Sequence, residues 1–362
     1  MPEIDKLFDI ATKHQASDLL LKVGANPILR LSGTLRELDA KAFTEPEIRK
    51  LVFGMLSTDQ IKHFEDNGDL DMAYTTETGG RFRVNLFRQR GATSMVARRV
   101  NMTIPSFNEL HLPPILEKIA GYQQGMVLVC GVTGSGKSTT LAAIIQYINA
   151  SRRCHIITIE DPIEYMYTDQ KSVINQREVG LDVKSFKIAL KSVVRQNPDV
   201  ILIGEMRDAE TFATAIEAAA TGHLVFGTLH SSTVPQTFSR IFDIFPPEER
   251  DSARKSLVFN LRAVVCQKLA LAKDGKGRVP VNEVMIMTPA VQKLLEEGGE
   301  KKIGDVIRAY EADGMFDFNQ CLYRLIKENM ISEKTALTIS HNPDQLRMNI
   351  KGIFIANSGI TN

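Results

Sequence analysis

Phosphate chemistry is most plainly legible in Gly131-Val132-Thr133-Gly134-Ser135-Gly136-Lys137-Ser138-Thr139, which fits the pattern G-x-x-x-x-G-K-[ST] at every fixed position. Glycines let a backbone wrap phosphate oxygens with its N–H groups turned inward. The lysine reaches the outer phosphates, and the Ser138 hydroxyl suits a magnesium ion. The apolar run Met126–Cys130 precedes the loop, and a stretch with helical spacing, Leu141 to Ile148, follows it. Strand, loop and helix in that order are the context the motif needs, and the helix start adds partial positive charge. Gly131 to Thr139 is therefore read as the set that binds ATP with Mg2+.

Hydrolysis also needs a polarised water and groups that neutralise developing charge. The apolar run Val200–Ile203 ends in Gly204-Glu205-Met206-Arg207-Asp208, so Glu205 stands at a strand end, near metal and attacking water. Glu160-Asp161-Pro162-Ile163-Glu164 offers three more acids. Any of them could polarise water or hold a metal-bound water, and the bland alternative is an acidic helix start. His223 and His230 bracket a fourth apolar run, Leu224–Phe226, and are read as sensing the γ-phosphate or relaying its state. Arg81, Arg83, Arg88, Arg90, Arg98 and Arg99 form a basic series near the chain's start. Arg81 and Arg83 alternate with Phe82 and Val84, which puts both arginines on one sheet face. That face is either simply solvated or, in a ring, meets the nucleotide of a neighbouring subunit.

These residues must be positioned by α/β elements. Met126–Cys130, His155–Ile159, Val200–Ile203 and Leu224–Phe226 are short unalternating apolar runs, suited to strands buried on both faces of a parallel sheet. Each leads into one of the polar clusters above, so all four clusters gather at the carboxyl edge, where open α/β sheets bind ligands. Residues 1–100 mix helical and alternating patterns and read as a small α+β domain: helices at 2–15 and 45–66, with strands before and after the second. Residues 101–113, with Pro105 and Pro113, read as a semi-stiff linker to a second domain over 114–362. Beyond residue 235 helices dominate, with one or two expected over Glu248–Leu269, a strand over Val279–Met287 and a loose tail after Lys351.

Composition narrows the class. The 362 residues are 43% hydrophobic and carry a formal net charge of +1, which gives no global field for nucleic acid or an anionic membrane. No run approaches the ~18 apolar residues that span a bilayer. The first residues lack a secretory pattern, so a cytoplasmic location without membrane insertion is expected. The four cysteines are scattered, without a C-x-x-C pair, and indicate neither zinc nor a disulfide framework.

Taken together, Gly131–Ser138 (a Walker A loop), Ile159–Glu164 (an Asp box), Val200–Asp208 (an atypical Walker B strand) and Thr221–His230 (a His box) resemble the type IV pilus retraction ATPases. Arg81–Phe87 and Asn175–Gly180 match as well. This is the PilT/PilU group of the secretion ATPase superfamily, and the resemblance covers nearly the whole chain. It implies a PAS-like first domain, a RecA-like ATPase domain and a homohexameric ring in which Arg81, Arg83 or Arg98 acts across subunits. It further implies ATP-driven removal of pilin at the base of the fibre, docked on the inner-membrane platform protein, with a paralogous retraction ATPase as a further partner. By the same match Glu164 activates water, Glu205 supports the metal and Glu160 is auxiliary. Ala290–Leu295 and Ala220 depart from the retraction pattern; Asp344–Lys351 looks more like the PilU branch, whereas Gly204–Asp208 looks more like PilT. A pilus-assembly or type II secretion ATPase, a non-hydrolysing regulator and a nucleic-acid translocase are the alternatives. The first usually carries a tetracysteine insertion that this chain lacks.

Overall fold

Every second side chain of Phe82-Arg83-Val84-Asn85-Leu86 is buried, which makes this stretch a strand with one packed face. The computed structural model of the protein describes residues 3–31, 33–100 and 102–353. They fall into two units, one up to Thr103 together with Glu164–Met166, the other from Ile104 to Ile163 and from Tyr167 onward.

The first unit contains α1 (Glu3–Lys13), β1 (Asp18–Leu21), β2 (Ile28–Leu31), β3 (Thr34–Glu37), α2 (Glu45–Phe53), α3 (Thr58–Asn67), β4 (Asp69–Thr75), β5 (Arg81–Gln89) and β6 (Ala92–Arg99). The strands form one antiparallel sheet in the order β3-β2-β1-β6-β5-β4. Phe8, Ile48, Val52 and Phe64 from the helices pack with Leu19, Phe82, Val84 and Leu86 from the strands. The helix expected over 45–66 is two helices. Gly54 closes the first, and Ser57 caps the second through a reciprocal exchange with Gln60.

The second unit begins with residues 104–113, whose Phe107 and Leu112 are buried in its core. Then follow α4 (Ile115–Ala120), β7 (Gly125–Cys130), α5 (Lys137–Ser151), β8 (His155–Glu160), β9 (Val173–Glu178), α6 (Phe186–Val193), β10 (Val200–Ile203), α7 (Ala209–Ala220), β11 (Leu224–Leu229), α8 (Val234–Ile244) and α9 (Arg250–Asn260). The chain continues through β12 (Leu261–Leu271), β13 (Arg278–Ile286), α10 (Pro289–Glu296), α11 (Ile303–Ala309), α12 (Phe318–Lys327), α13 (Glu333–Ile339) and α14 (Pro343–Ile350). The sheet order is β13-β12-β7-β11-β10-β8-β9, parallel throughout except for β13. Every residue of β7, β10 and β11 is buried, as their uninterrupted apolar runs require. This is the RecA-like arrangement, and it brings the carboxyl ends of β7, β8, β10 and β11 to one edge of the sheet.

One expectation fails here. Residues 261–269 are not helical. The helix stops at Asn260, and Leu261–Leu271 is a strand hydrogen-bonded to β7 on one side and β13 on the other. An apolar run such as Ala263-Val264-Val265-Cys266 has no period of its own to decide the matter, and its β-branched pair suits a doubly buried strand. Of the tail after Lys351, expected to be loose, residues 354–362 lie outside the described residues. Among the described residues no helix is long and apolar enough to cross a membrane.

Candidate active site

The loop after β7 needs its glycines for three separate reasons. A Cβ on Gly131 would come within 2.4 Å of Ser135 Oγ, and one on Gly136 within 2.8 Å of Gln267 Nε2. Gly134 has open space around it but a φ of 79°, in the left-handed region. α5 then starts at Lys137, so its unpaired N–H groups and dipole face the loop. The Lys137 ammonium donates to the carbonyls of Gly131 (2.8 Å) and Val132 (3.1 Å). Burial pulls its pKa below the usual lysine range, and the negative charge of Glu205 acts against that shift. Ser138 is exposed on the first turn of α5, with Thr139 half-buried beside it.

Two other glycines bring the strand ends close together. A Cβ on Gly204 would stand 3.2 Å from Glu160 Cα, and one on Gly227 2.4 Å from Met206 Cε. Thr228 Oγ1 donates to the Gly204 carbonyl at 2.5 Å and ties β11 to the turn after β10. Glu205 leaves that turn held at both carboxylate oxygens: Arg207 Nη2 lies 2.6 Å from Oε2 and His230 Nε2 lies 3.1 Å from Oε1. The Arg207 hydrogen bond, with lesser contributions from the charges of Arg207, His230 and Lys137, holds the Glu205 carboxyl below the usual range. Glu205 is therefore a carboxylate at neutral pH, within the electrostatic reach of the loop lysine.

Lys137, Glu205 and His230 thus gather as expected. Glu160 is buried at the end of β8, accepting from Thr158 Oγ1 (2.6 Å) and Gln176 Nε2 (3.4 Å). Glu164 is exposed and belongs to the short segment that groups with the first unit. His223 is not brought to this edge. It precedes β11, roughly 20 Å along the strand from His230, and its Nδ1 lies 2.9 Å from the Ala218 carbonyl at the end of α7.

The basic series of the first unit divides. Arg30, Asp18, Arg98 and Arg83 form one row across β2, β1, β6 and β5. Buried Asp18 accepts from Arg98 Nε (3.0 Å) and from Arg30 Nε (3.2 Å). Arg83 is exposed and has no ion-pair partner among the described residues. Arg81 shares its face as expected. Arg88 instead lies over the Phe64 ring, and Arg99 donates to the Ala16 carbonyl. Arg207 and Gln267 escaped the sequence reading as site residues. Arg207 could have been found from its place two residues after Glu205, and Gln267 as a polar residue within an apolar run.

A phosphate loop between strand and helix, an ionised glutamate at the end of the next-but-one strand and a histidine between them define a RecA-like P-loop ATPase. Residues 66–321 match the Type II/IV secretion system protein family. The chain is 39% identical to the type IV pilus ATPase PilU of Pseudomonas aeruginosa, covering 96% of this chain and 91% of that protein. It is 38% identical to PilT of the same organism, a type IV pilus retraction ATPase, over 92% and 97% of the two chains. A crystal structure of the pilus retraction motor PilT with bound ADP superposes with a TM-score of 0.87 at 40% identity, covering 96% of this chain and 99% of that one. The chain belongs to the PilT/PilU family of type IV pilus ATPases.

Proposed function

We propose that this pilus ATPase drives retraction, working in the cytoplasm as a homohexamer docked on the inner-membrane platform protein at the base of the pilus machine, with a paralogous retraction ATPase as a further partner. The gathering of Lys137, Glu205 and His230 at one sheet edge beside an intact phosphate loop supports ATP hydrolysis, and the likeness to the retraction ATPase PilT supports retraction as its use. Gly131 to Thr139 bind ATP, with Lys137 on its outer phosphates. Glu164 activates the attacking water, Glu160 supports the acidic edge through Thr158 and Gln176, and His230 senses the γ-phosphate through Glu205. An arginine of a neighbouring subunit, Arg83 first and then Arg81 or Arg98, neutralises charge in the transition state.

Mg2+ fits the groups present. The exposed Ser138 hydroxyl and the ionised Glu205 are hard oxygen donors. Among the described residues no cluster of three or more His, Cys, Asp or Glu could hold a metal alone, so phosphate and water would complete its shell. Bound there, magnesium supplies neutralisation of the phosphate charge.

Lys137→Ala is expected to abolish phosphate release while circular dichroism shows an intact fold. Unchanged release would remove the assignment. A deletion strain separates the finer roles. Abundant surface pili that do not retract support the main retraction motor, pili that still retract support an accessory PilU-type role, and loss of pili points to extension instead.

A further inference from the structure

Two glycines of the phosphate loop are shaped by one residue outside it. A Cβ on Gly131 would stand 2.5 Å from the Gln267 carbonyl oxygen, and one on Gly136 2.8 Å from the Gln267 side-chain nitrogen. Gln267 lies on β12 and is only 2% exposed. Its amide makes three hydrogen bonds. Nε2 donates to the Ser135 carbonyl (2.8 Å), while Oε1 accepts from Thr140 Oγ1 (2.8 Å) and Asn282 Nδ2 (3.0 Å). Asn282 sits opposite Gln267 in the β12–β13 register, and its own backbone N–H donates to Cys321 Sγ on α12. A polar amide this deep is costly unless its groups are paired, so the bonds account for the residue where packing cannot.

Peptide planarity carries the effect into the loop. The C=O and N–H of a trans peptide point in opposite directions. With the Ser135 carbonyl drawn to Gln267, the N–H of Gly136 is turned away from β12. Inward-facing N–H groups are what such a loop offers to phosphate. We propose that Gln267 is a positioning residue: the β12–β13 hairpin, through Gln267 and Asn282, holds the Ser135–Gly136 peptide in its phosphate-binding orientation. The proposal rests on the reading of Gly131 to Thr139 as the nucleotide site.

The test uses the full chain. Calorimetric titration with ADP and Mg2+ is run on wild type, Gln267→Leu, Asn282→Leu and Thr140→Val, alongside thermal unfolding without nucleotide and steady-state ATP turnover. Gln267→Leu is expected to raise the ADP Kd about tenfold, the scale of one lost buried hydrogen bond, and to raise KM for ATP by more than it lowers kcat. Asn282→Leu and Thr140→Val, which only loosen the Gln267 amide, are expected to raise Kd about threefold. A folded Gln267→Leu protein with wild-type Kd overturns the proposal, because a purely structural residue would shift the unfolding midpoint alone. If Gln267→Leu does not fold, unchanged Kd in the other two variants overturns it. Wild-type protein that fails to bind ADP would instead overturn the nucleotide reading.

Discussion

Glu205 and His230 leave neighbouring parallel strands and meet at 3.1 Å, with Arg207 closing on the other carboxylate oxygen at 2.6 Å. β10 and β11 are in register from Val200–Leu224 to Ile203–Gly227, so β11 runs further than β10 before His230 emerges. The Gly204 turn lets Glu205 fold back to meet it. The contact ties one acid of the site to an arginine and a histidine, and its consequences can be measured.

Removing the charge while keeping the shape tests what Glu205 contributes. Glu205→Gln is expected to lower phosphate release by about 100-fold or more, the lower end of what a positioned catalytic group supplies. ADP affinity, measured by calorimetry, should change far less, because the loop and Lys137 remain.

Arg207 sets the ionisation of Glu205 more strongly than His230 does. Arg207→Ala is therefore expected to raise the Glu205 pKa. A site that needs the carboxylate then loses activity sooner as pH falls, so the acid limb of the turnover profile moves to higher pH. His230→Ala should move it in the same direction by less. Turnover at saturating ATP across the acid range gives both shifts.

Glu283 is a buried acid on β13, accepting at 2.6 Å from the Val234 N–H at the start of α8. Burial is the main cause that pushes its pKa up to about 7; the charge of Asp317 adds to it, and Lys268 and Arg308 oppose it. An acid whose pKa is raised in the folded state stabilises the fold below its unfolded pKa and loses that contribution as pH rises through the folded one. Across the window from about 4.5 to about 7 the loss is about 3 kcal/mol. Glu283→Gln should flatten this decline. Unfolding midpoints at pH 5 and pH 8 will show a smaller difference in the variant than in wild type.

Arg83 and Arg98 are neighbours in register but differ in their ties. Arg98→Ala unpairs buried Asp18 from one of its two arginines and is expected to lower the unfolding midpoint. Arg83→Ala should leave the midpoint unchanged. If the proposed ring forms, both are expected to lower turnover more than they weaken nucleotide binding. Normal turnover of Arg83→Ala alone would remove Arg83 from the trans role, and normal turnover of both variants would remove the trans-acting arginine proposed above.

Local pattern alone determined the strand–loop–helix around Lys137, the four apolar strands and the alternation that separates Arg83 from Phe82. Glycine spacing, apolar runs and two-residue periods act within a few positions of the chain, so they are visible without the fold. Tertiary structure decided what depends on strand order. β12 inserts beside β7, which turns a stretch read as helix into the support beneath the phosphate loop. β11 runs between β7 and β10, which brings His230 to Glu205 and leaves His223 at the opposite end. Asp18 sits beside β6, which ties Arg98 and leaves Arg83 free of that bond. The Gln267–Ser135 bond joins positions 132 residues apart, and no local period records which distant strand will supply a partner.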